Sequence, residues 1–338
     1  MTNPVLVEVT RGGIVESEHR GAVAIIDASG KLVFALGDTQ KPIFPRSAIK
    51  GLQAIPLIES GAVEKYHLTD AEIALACASH NGEEEHVKTA TGMLAKAGRD
   101  VSDLECGAQM PTRGGAQIPL YKAGLKPTAL HNNCSGKHAG FVCAACASGE
   151  NPRGYVAATH PTMREVTAAV ADLSSYPLES ATCGTDGCSI PSFAIPLQAL
   201  ALAFARFGTG QGLSTARARA VQRIRQAVAA APFHVAGSGR FDTIAMQLLK
   251  QRAFVKVGAE GVYCAALPEL GFGVALKCDD GTTRAAEVMM AAVLARFLSL
   301  SETEQQGLAP LLQPQLKNWN GISVGEVRAS PAMLAKKP

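Results

Sequence analysis

Aromatic residues are scarce in this 338-residue chain, with one Trp, five Tyr and eleven Phe. An excess of one charge is lacking too: 32 basic residues face 29 acidic ones, a net charge of +3. Nucleic-acid grooves combine basic stretches with interleaved aromatics. No such run occurs, so nothing points to a nucleic-acid partner, and Lys336-Lys337 reads as a solvated tail. No uninterrupted apolar stretch reaches the length of a membrane span. Residues Met1 to Arg20 carry Glu8, Glu16 and Glu18 among apolar neighbours and lack the basic-then-apolar layout of a secretory signal. The expected location is the cytoplasm, with no membrane attachment. Nine cysteines, an odd count without an export signal, fit reduced thiols better than a disulfide framework. Cys143 and Cys146 form a Cys-x-x-Cys inside an apolar helix-like run, and no second one exists to complete a four-sulfur zinc site, so both are expected to pack. Internal repeats, low-complexity linkers and sharp boundaries are also missing. Residues 1–338 are therefore expected to form one domain with a central helical region.

What is present is ample apolar material, 47% of residues, enough for a large core. Ala22 to Ile26, the turn Asp27-Ala28-Ser29-Gly30 and Leu32 to Leu36 read as a hairpin. Thr69 with Glu72 makes a capping box for a helix leading to Cys77, and Glu83 to Ala97 has amphipathic spacing. Helical patterns continue through His138–Ala147, Pro161–Leu173, Ile195–Phe207 and Ser214–Ala231. Strands return at Ala253–Val257, Val262–Ala266 and Phe272–Lys277, before a helix from Ala285 to Leu298. The expected fold class is α+β: an antiparallel sheet assembled from N- and C-terminal strands, with helices inserted between them.

Three short elements carry chemistry. Ser47 and Lys50 are three residues apart, the spacing that puts a hydroxyl and an amine on one helix face. Ser79-His80-Asn81 and Lys256-Val257-Gly258 follow in the order in which penicillin-recognising enzymes place Ser-x-Asn and Lys-Thr-Gly, with Val257 in place of the threonine. Each has a plainer reading. Ser47 could be a helix N-cap after the loop at Pro42 and Pro45, Ser79 a helix-terminus serine, and Lys256 a solvated strand lysine. A β-lactamase or penicillin-binding-like serine amidohydrolase is one function that joins them.

A second constellation lies in two glycine-punctuated loops, His131-Asn132-Asn133-Cys134-Ser135-Gly136-Lys137-His138 and Thr182-Cys183-Gly184-Thr185-Asp186-Gly187-Cys188. Cores rarely need Cys, Lys, His and Asp concentrated in such turns, whereas sites carried on loops do. Cys134 and Cys188 could give thiolates to Zn2+, with Lys137 or His138 as a third ligand and water in the open position. Buried loop cysteines without metal, or a non-enzymatic zinc-binding module, are the alternatives.

Together, Cys134-Ser135-Gly136-Lys137-His138, Thr185-Asp186-Gly187-Cys188, Arg11-Gly12-Gly13-Ile14-Val15-Glu16, Ala78-Ser79-His80 and Arg46-Ser47 with Lys50 resemble the rhizobial-type L-asparaginases, the Rhizobium etli asparaginase family. The resemblance spans essentially the whole chain. It implies a fold similar to serine β-lactamases and glutaminases, a homodimer, and hydrolysis of L-asparagine to L-aspartate and ammonia. It also implies two adjacent Ser/Lys pairs, Ser47 with Lys50 and Ser79 with Lys256, and zinc ligands Cys134, Lys137 and Cys188. Asp186 and His138 would line the pocket, and Arg46 and Asp186 are candidates to hold the substrate's α-carboxylate and α-ammonium. In the mechanism expected from these residues, Ser47 attacks the side-chain amide. Lys50 acts as a neutral base lowered by burial and by Lys256, and Ser79 shuttles the proton. Ser79 remains an alternative nucleophile. Zinc is expected to shape the pocket rather than to activate water.

Overall fold

The computed structural model describes residues 2–335, so the expected Lys336-Lys337 tail lies outside the described residues. Its centre is an eight-stranded sheet built from both ends of the chain. The N-terminal strands are β1 (Val5–Arg11), β2 (Ile14–Asp27) and β3 (Leu32–Leu36). The C-terminal ones are β4 (Phe254–Val257), β5 (Val262–Leu267), β6 (Phe272–Cys278), β7 (Gln315–Lys317) and β8 (Ser323–Ala329). The order is β7-β8-β1-β2-β6-β5-β4, with β3 pairing β2 off this path, and every pairing is antiparallel. The α+β architecture expected from the sequence is the one observed.

Long β2 explains how one strand serves three partners. Its first half, from Ile14 to Arg20, pairs β1, while its second half pairs β6 along Gly21–Asp27 and β3 along Val23–Ile26. The turn into β2 is Gly12-Gly13, with φ of +54° and +84°. Two consecutive left-handed residues are what a tight hairpin turn demands, and glycine adopts them without a Cβ clash. The outer part of this sheet, β1, the charged first half of β2, and β7 with β8, went unrecognised in the sequence. Its exposed positions carry Glu16, Glu18 and Arg20, which hide a strand pattern that alternation alone must reveal.

Between the two sets of strands lies the helical region. Its main helices are α1 (Asp70–Ala76), α2 (Glu84–Lys96), α3 (Ser135–Ala147), α4 (Pro161–Ser174), α5 (Leu197–Thr209), α6 (Thr215–Ala230) and α7 (Phe241–Leu249); α8 (Thr283–Phe297) follows β6. The Thr69/Glu72 capping box is present at the start of α1. Every residue of β4 and β5 is buried, because helices cover the sheet there. One hydrophobic cluster joins the sheet, through Ile25 and Val255, to the helices, through Leu75 and Val142. Each such side chain contributes about 1.5–3 kcal/mol by leaving water. That rigid layer holds the polar groups described next.

Candidate active site

Ser47 does not open a long helix as expected. It is the second residue of a 3-10 turn, Arg46–Ile49, continued by the one-turn helix Lys50–Gln53. Arg46 has φ of +51°, a strained conformation for a residue with a Cβ. Arg46 Nε donates to Asp186 Oδ2 at 2.9 Å and a second guanidinium nitrogen to Oδ1 at 3.4 Å. That ion pair ties the Ser47 turn to the loop carrying Cys188.

Ser79 lies just past α1 in an extended segment clamped from two sides. The Ser79 and Asn81 amides donate to Val235 and Ala236 carbonyls, and the His80 amide donates to Asn133 O. Such clamping leaves the Ser79 hydroxyl little freedom. Lys256 comes from β4, opposite Cys264 on β5, and is fully buried. Its Nζ donates to Ser79 Oγ at 2.9 Å and to Val257 O at 2.9 Å. Lys50, also buried, donates from Nζ to Ala78 O at 2.6 Å, Ser79 Oγ at 3.0 Å and Cys134 Sγ at 3.1 Å. An ammonium has three N–H donors, and here three acceptors meet them. Both amines therefore converge on Ser79. Among the described residues Lys50 makes no hydrogen bond to Ser47, so the expected Ser47/Lys50 pairing is replaced by a Lys50–Ser79–Lys256 bridge. The lowered amine is Lys256: burial, helped by the Lys50 charge, brings it from 10.5 to about 7, against the pull of Asp242.

The serines open onto a cavity of about 420 Å3 whose wall includes Ser47, Ser79, His80, Asn133, Arg240 and Glu287. Ser47 Oγ faces it with no hydrogen-bond partner among the described residues. Position two of a 3-10 turn also leaves the Ser47 N–H without a partner inside the turn, available to an oxyanion. His80 is fixed as a neutral ring. Its Nδ1 accepts from the Gly82 amide at 3.0 Å, its Nε2 lies 2.9 Å from Ser135 Oγ, and burial and His86 hold it well below the usual histidine range. Arg46, Asp186 and His138 are absent from this wall. Arg46 and Asp186 neutralise each other, and fully buried His138 is bonded through Nδ1 to Tyr155 Oη at 2.6 Å. Arg113, Arg240 and Glu287, which do line the cavity, were missed; nothing in their local sequence marks them.

The second constellation adjoins the first. Cys134 is the N-cap of α3, its amide held by Asn132 Oδ1 at 2.8 Å, and Lys137 lies one turn further on. Close packing of α3 on α1 requires Gly136, where a Cβ would sit 2.3 Å from Leu75 O. Cys188 follows the strand Cys183–Thr185 in a turn closed by the Ser189 amide on Asp186 O. Lys137 Nζ donates to Cys188 Sγ at 3.1 Å. The Cys134 thiol is held well below its ordinary range by a hydrogen bond from Cys188, against burial and with the help of Lys50 and Lys137. Cys188 is pushed up by the same contact and by burial. Burial opposes the charge on Lys137, but the two sulfurs outweigh it and raise its affinity for the proton. These three side chains are the ones here that could hold a metal. None of the nine cysteines is in a disulfide, and buried Cys143 packs with its sulfur 3.5 Å from Met93 O.

A further Cys/His/Asp group, His19, Cys278 and Asp280, went unnoticed in the sequence. There the Asp280 carboxylate takes hydrogen bonds from both partners, to His19 Nδ1 at 2.5 Å and from Cys278 Sγ at 3.0 Å. It ties His19 in the middle of β2 to the end of β6.

The L-asparaginase II family model matches residues 7–329, nearly the entire chain. The protein belongs to this family and is an amidohydrolase of the asparaginase type. No curated protein matches it significantly. Among solved structures it is similar to a β-lactamase from Mycobacterium bovis, at 15% identity over 82% of this chain and 94% of that one, with a TM-score of 0.40. It is also similar to Mglu in its L-glutamate binding form, at 15% identity over 89% and 65% of the two chains, TM-score 0.40. A third is D-alanine carboxypeptidase AmpC from Burkholderia cenocepacia, at 13% identity over 86% and 92%, TM-score 0.37. No helix among the described residues is long and apolar enough to cross a membrane.

Proposed function

We propose that the chain hydrolyses L-asparagine to L-aspartate and ammonia by a serine/lysine mechanism, with zinc beside the reacting groups. The observation that carries this reading is the Lys50–Ser79–Lys256 bridge beside the open hydroxyl of Ser47 in one cavity. Ser47 Oγ attacks the side-chain amide carbon. Its proton passes to Ser79 Oγ, whose own proton passes to neutral Lys256, while Lys50 Nζ donates to Ser79 Oγ and orients it. The backbone N–H of Ser47 stabilises the oxyanion. The tetrahedral adduct collapses as its C–N bond breaks, the nitrogen takes the relayed proton, and ammonia leaves an aspartyl ester on Ser47. Water, deprotonated through the same relay, attacks the ester; the acyl C–O bond to Ser47 breaks, Ser47 Oγ takes the relayed proton back, and aspartate leaves. We assign the base to Lys256, which burial lowers to about 7.

A second reading makes Ser79 the nucleophile, because its hydroxyl is the one in direct contact with a neutral amine, at 2.9 Å from Lys256 Nζ. Separate Ser47→Ala and Ser79→Ala variants, scored for single-turnover ester formation rather than steady-state rate, distinguish the two.

Cys134, Lys137 and Cys188 suit Zn2+. Tetrahedral bonds of about 2.3 Å to sulfur and about 2.1 Å to nitrogen separate such ligands by about 3.6 Å. The Lys137–Cys188 separation of 3.1 Å needs an opening of only a few tenths of an ångström per ligand. A thiolate already favoured at Cys134 is the donor chemistry zinc takes. When bound, the ion supplies a fixed positive charge that orients polar groups of the substrate. Ammonia release measured on L-asparagine and L-glutamine, with nitrocefin as a β-lactam control, tests the activity. No release from asparagine by well-folded protein would overturn it. The single 1–338 domain in a cytoplasmic homodimer is also part of the proposal. The free cysteines suit a reducing compartment and support the location alone; light scattering tests the homodimer and fractionation the location.

A further inference from the structure

Glu287 is the acidic residue on the cavity wall, and no ion pair or hydrogen bond among the described residues answers it. It lies in the second turn of α8, partly buried, and among the described residues it has neither a hydrogen bond nor a salt bridge within 4.0 Å. Burial and the nearby Asp242 carboxylate raise it from 4.5 to about 7, while Arg240 and Arg113 pull it down without reaching ion-pair distance. A partly buried carboxylate without a partner gains when a cation arrives with N–H donors.

Two guanidiniums share the same wall. Arg240 uses one nitrogen, Nη1, on Ser79 O at 3.4 Å and Asn81 Oδ1 at 3.1 Å. Arg113 uses Nη2 on Gly239 O at 3.2 Å. Neither is paired with a carboxylate among the described residues, and each keeps N–H donors unused. One unanswered anion and two partly engaged cations therefore surround the serines, an arrangement complementary to a small zwitterion. Arg46 and Asp186, the pair expected in this role, are bonded to each other.

We propose that Glu287 binds the α-ammonium and Arg240 with Arg113 the α-carboxylate of the amino-acid substrate, leaving the side-chain amide to point at Ser47 and Ser79. This subsite rests on the amidohydrolase reading above and makes it specific for free α-amino acids over amides lacking a charged head. Thr283, one turn before Glu287 on the same wall, offers its hydroxyl to the same ammonium.

The test compares L-asparagine with succinamate, the same molecule without its α-amino group, in wild type and Glu287→Gln. Losing one charge-assisted contact should lower kcat/KM for asparagine relative to succinamate by roughly 10- to 100-fold, carried by KM more than by kcat. Succinamate turnover also shows that the variant is folded and its serine chemistry intact. An asparagine-to-succinamate ratio equal to that of wild type overturns the subsite. Wild type that releases no ammonia from asparagine overturns the amidohydrolase reading instead, so the two failures are separable.

Discussion

Replacing Lys256 by methionine keeps the stem that packs within β4 and removes the amine, and the structure sets opposite signs for activity and stability. The fall of Lys256 from 10.5 to about 7 corresponds to something on the order of 5 kcal/mol in favour of the neutral form in the fold. Between about pH 7 and pH 10 the unfolded chain therefore carries a proton that the folded one lacks, so wild-type stability rises with pH across that window. Below pH 7 both states are protonated and the full cost of burying the charge is present. From pH 6 to pH 9 this one residue should add about 2–3 kcal/mol to wild type and nothing to Lys256→Met. Denaturant midpoints at the two pH values measure the difference. Turnover should go the other way. Loss of the proton acceptor for Ser79 should cost roughly 100- to 10,000-fold in kcat/KM and remove the acidic limb near pH 7 from the pH–rate profile. Activity within about threefold of wild type with that limb intact would refute the assignment. So would an identical pH dependence of stability in the two proteins.

Cys188→Ser should leave purified protein with much less zinc by metal analysis and a KM raised more than kcat is lowered; loss confined to kcat would instead mark zinc as part of the chemical step. Gly136→Ala drives a methyl group to 2.3 Å from Leu75 O and should destabilise by about 1–3 kcal/mol in urea unfolding; an unchanged midpoint would mean that α3 can move off α1. Arg46→Ala breaks a partly buried ion pair and frees the Ser47 turn, so thermal stability and kcat should both fall, by about 1 kcal/mol and roughly tenfold. A rise in KM alone would return Arg46 to the substrate-binding role expected from the sequence.

Much of the chemistry was legible because it sits in local patterns. Lys50, Ser79 and Lys256 come together, as do Cys134, Lys137 and Cys188, and each was recognisable from neighbours within a few positions. Partner choice was not legible. Lys50 follows Ser47 by three residues, a spacing that a 3-10 turn keeps on one side, yet its amine is held by Ala78 O, Ser79 Oγ and Cys134 Sγ, acceptors from distant segments that local spacing could not foresee. Arg113, Arg240 and Glu287 come from three separate elements and meet only once the sheet has closed. Strands β4 to β6, largely apolar runs, were visible for the same reason that they are covered almost throughout. Strands β1, β7 and β8, shorter or more polar, need the long-range pairing of the two termini to become strands at all.

The central claim is that Ser47 attacks. Acid quenching of the enzyme within the first turnover on L-asparagine, followed by proteolysis and mass spectrometry, locates the covalent intermediate directly. The account predicts an aspartyl ester on the peptide containing Ser47, absent in Ser47→Ala. An ester on the Ser79 peptide would contradict it.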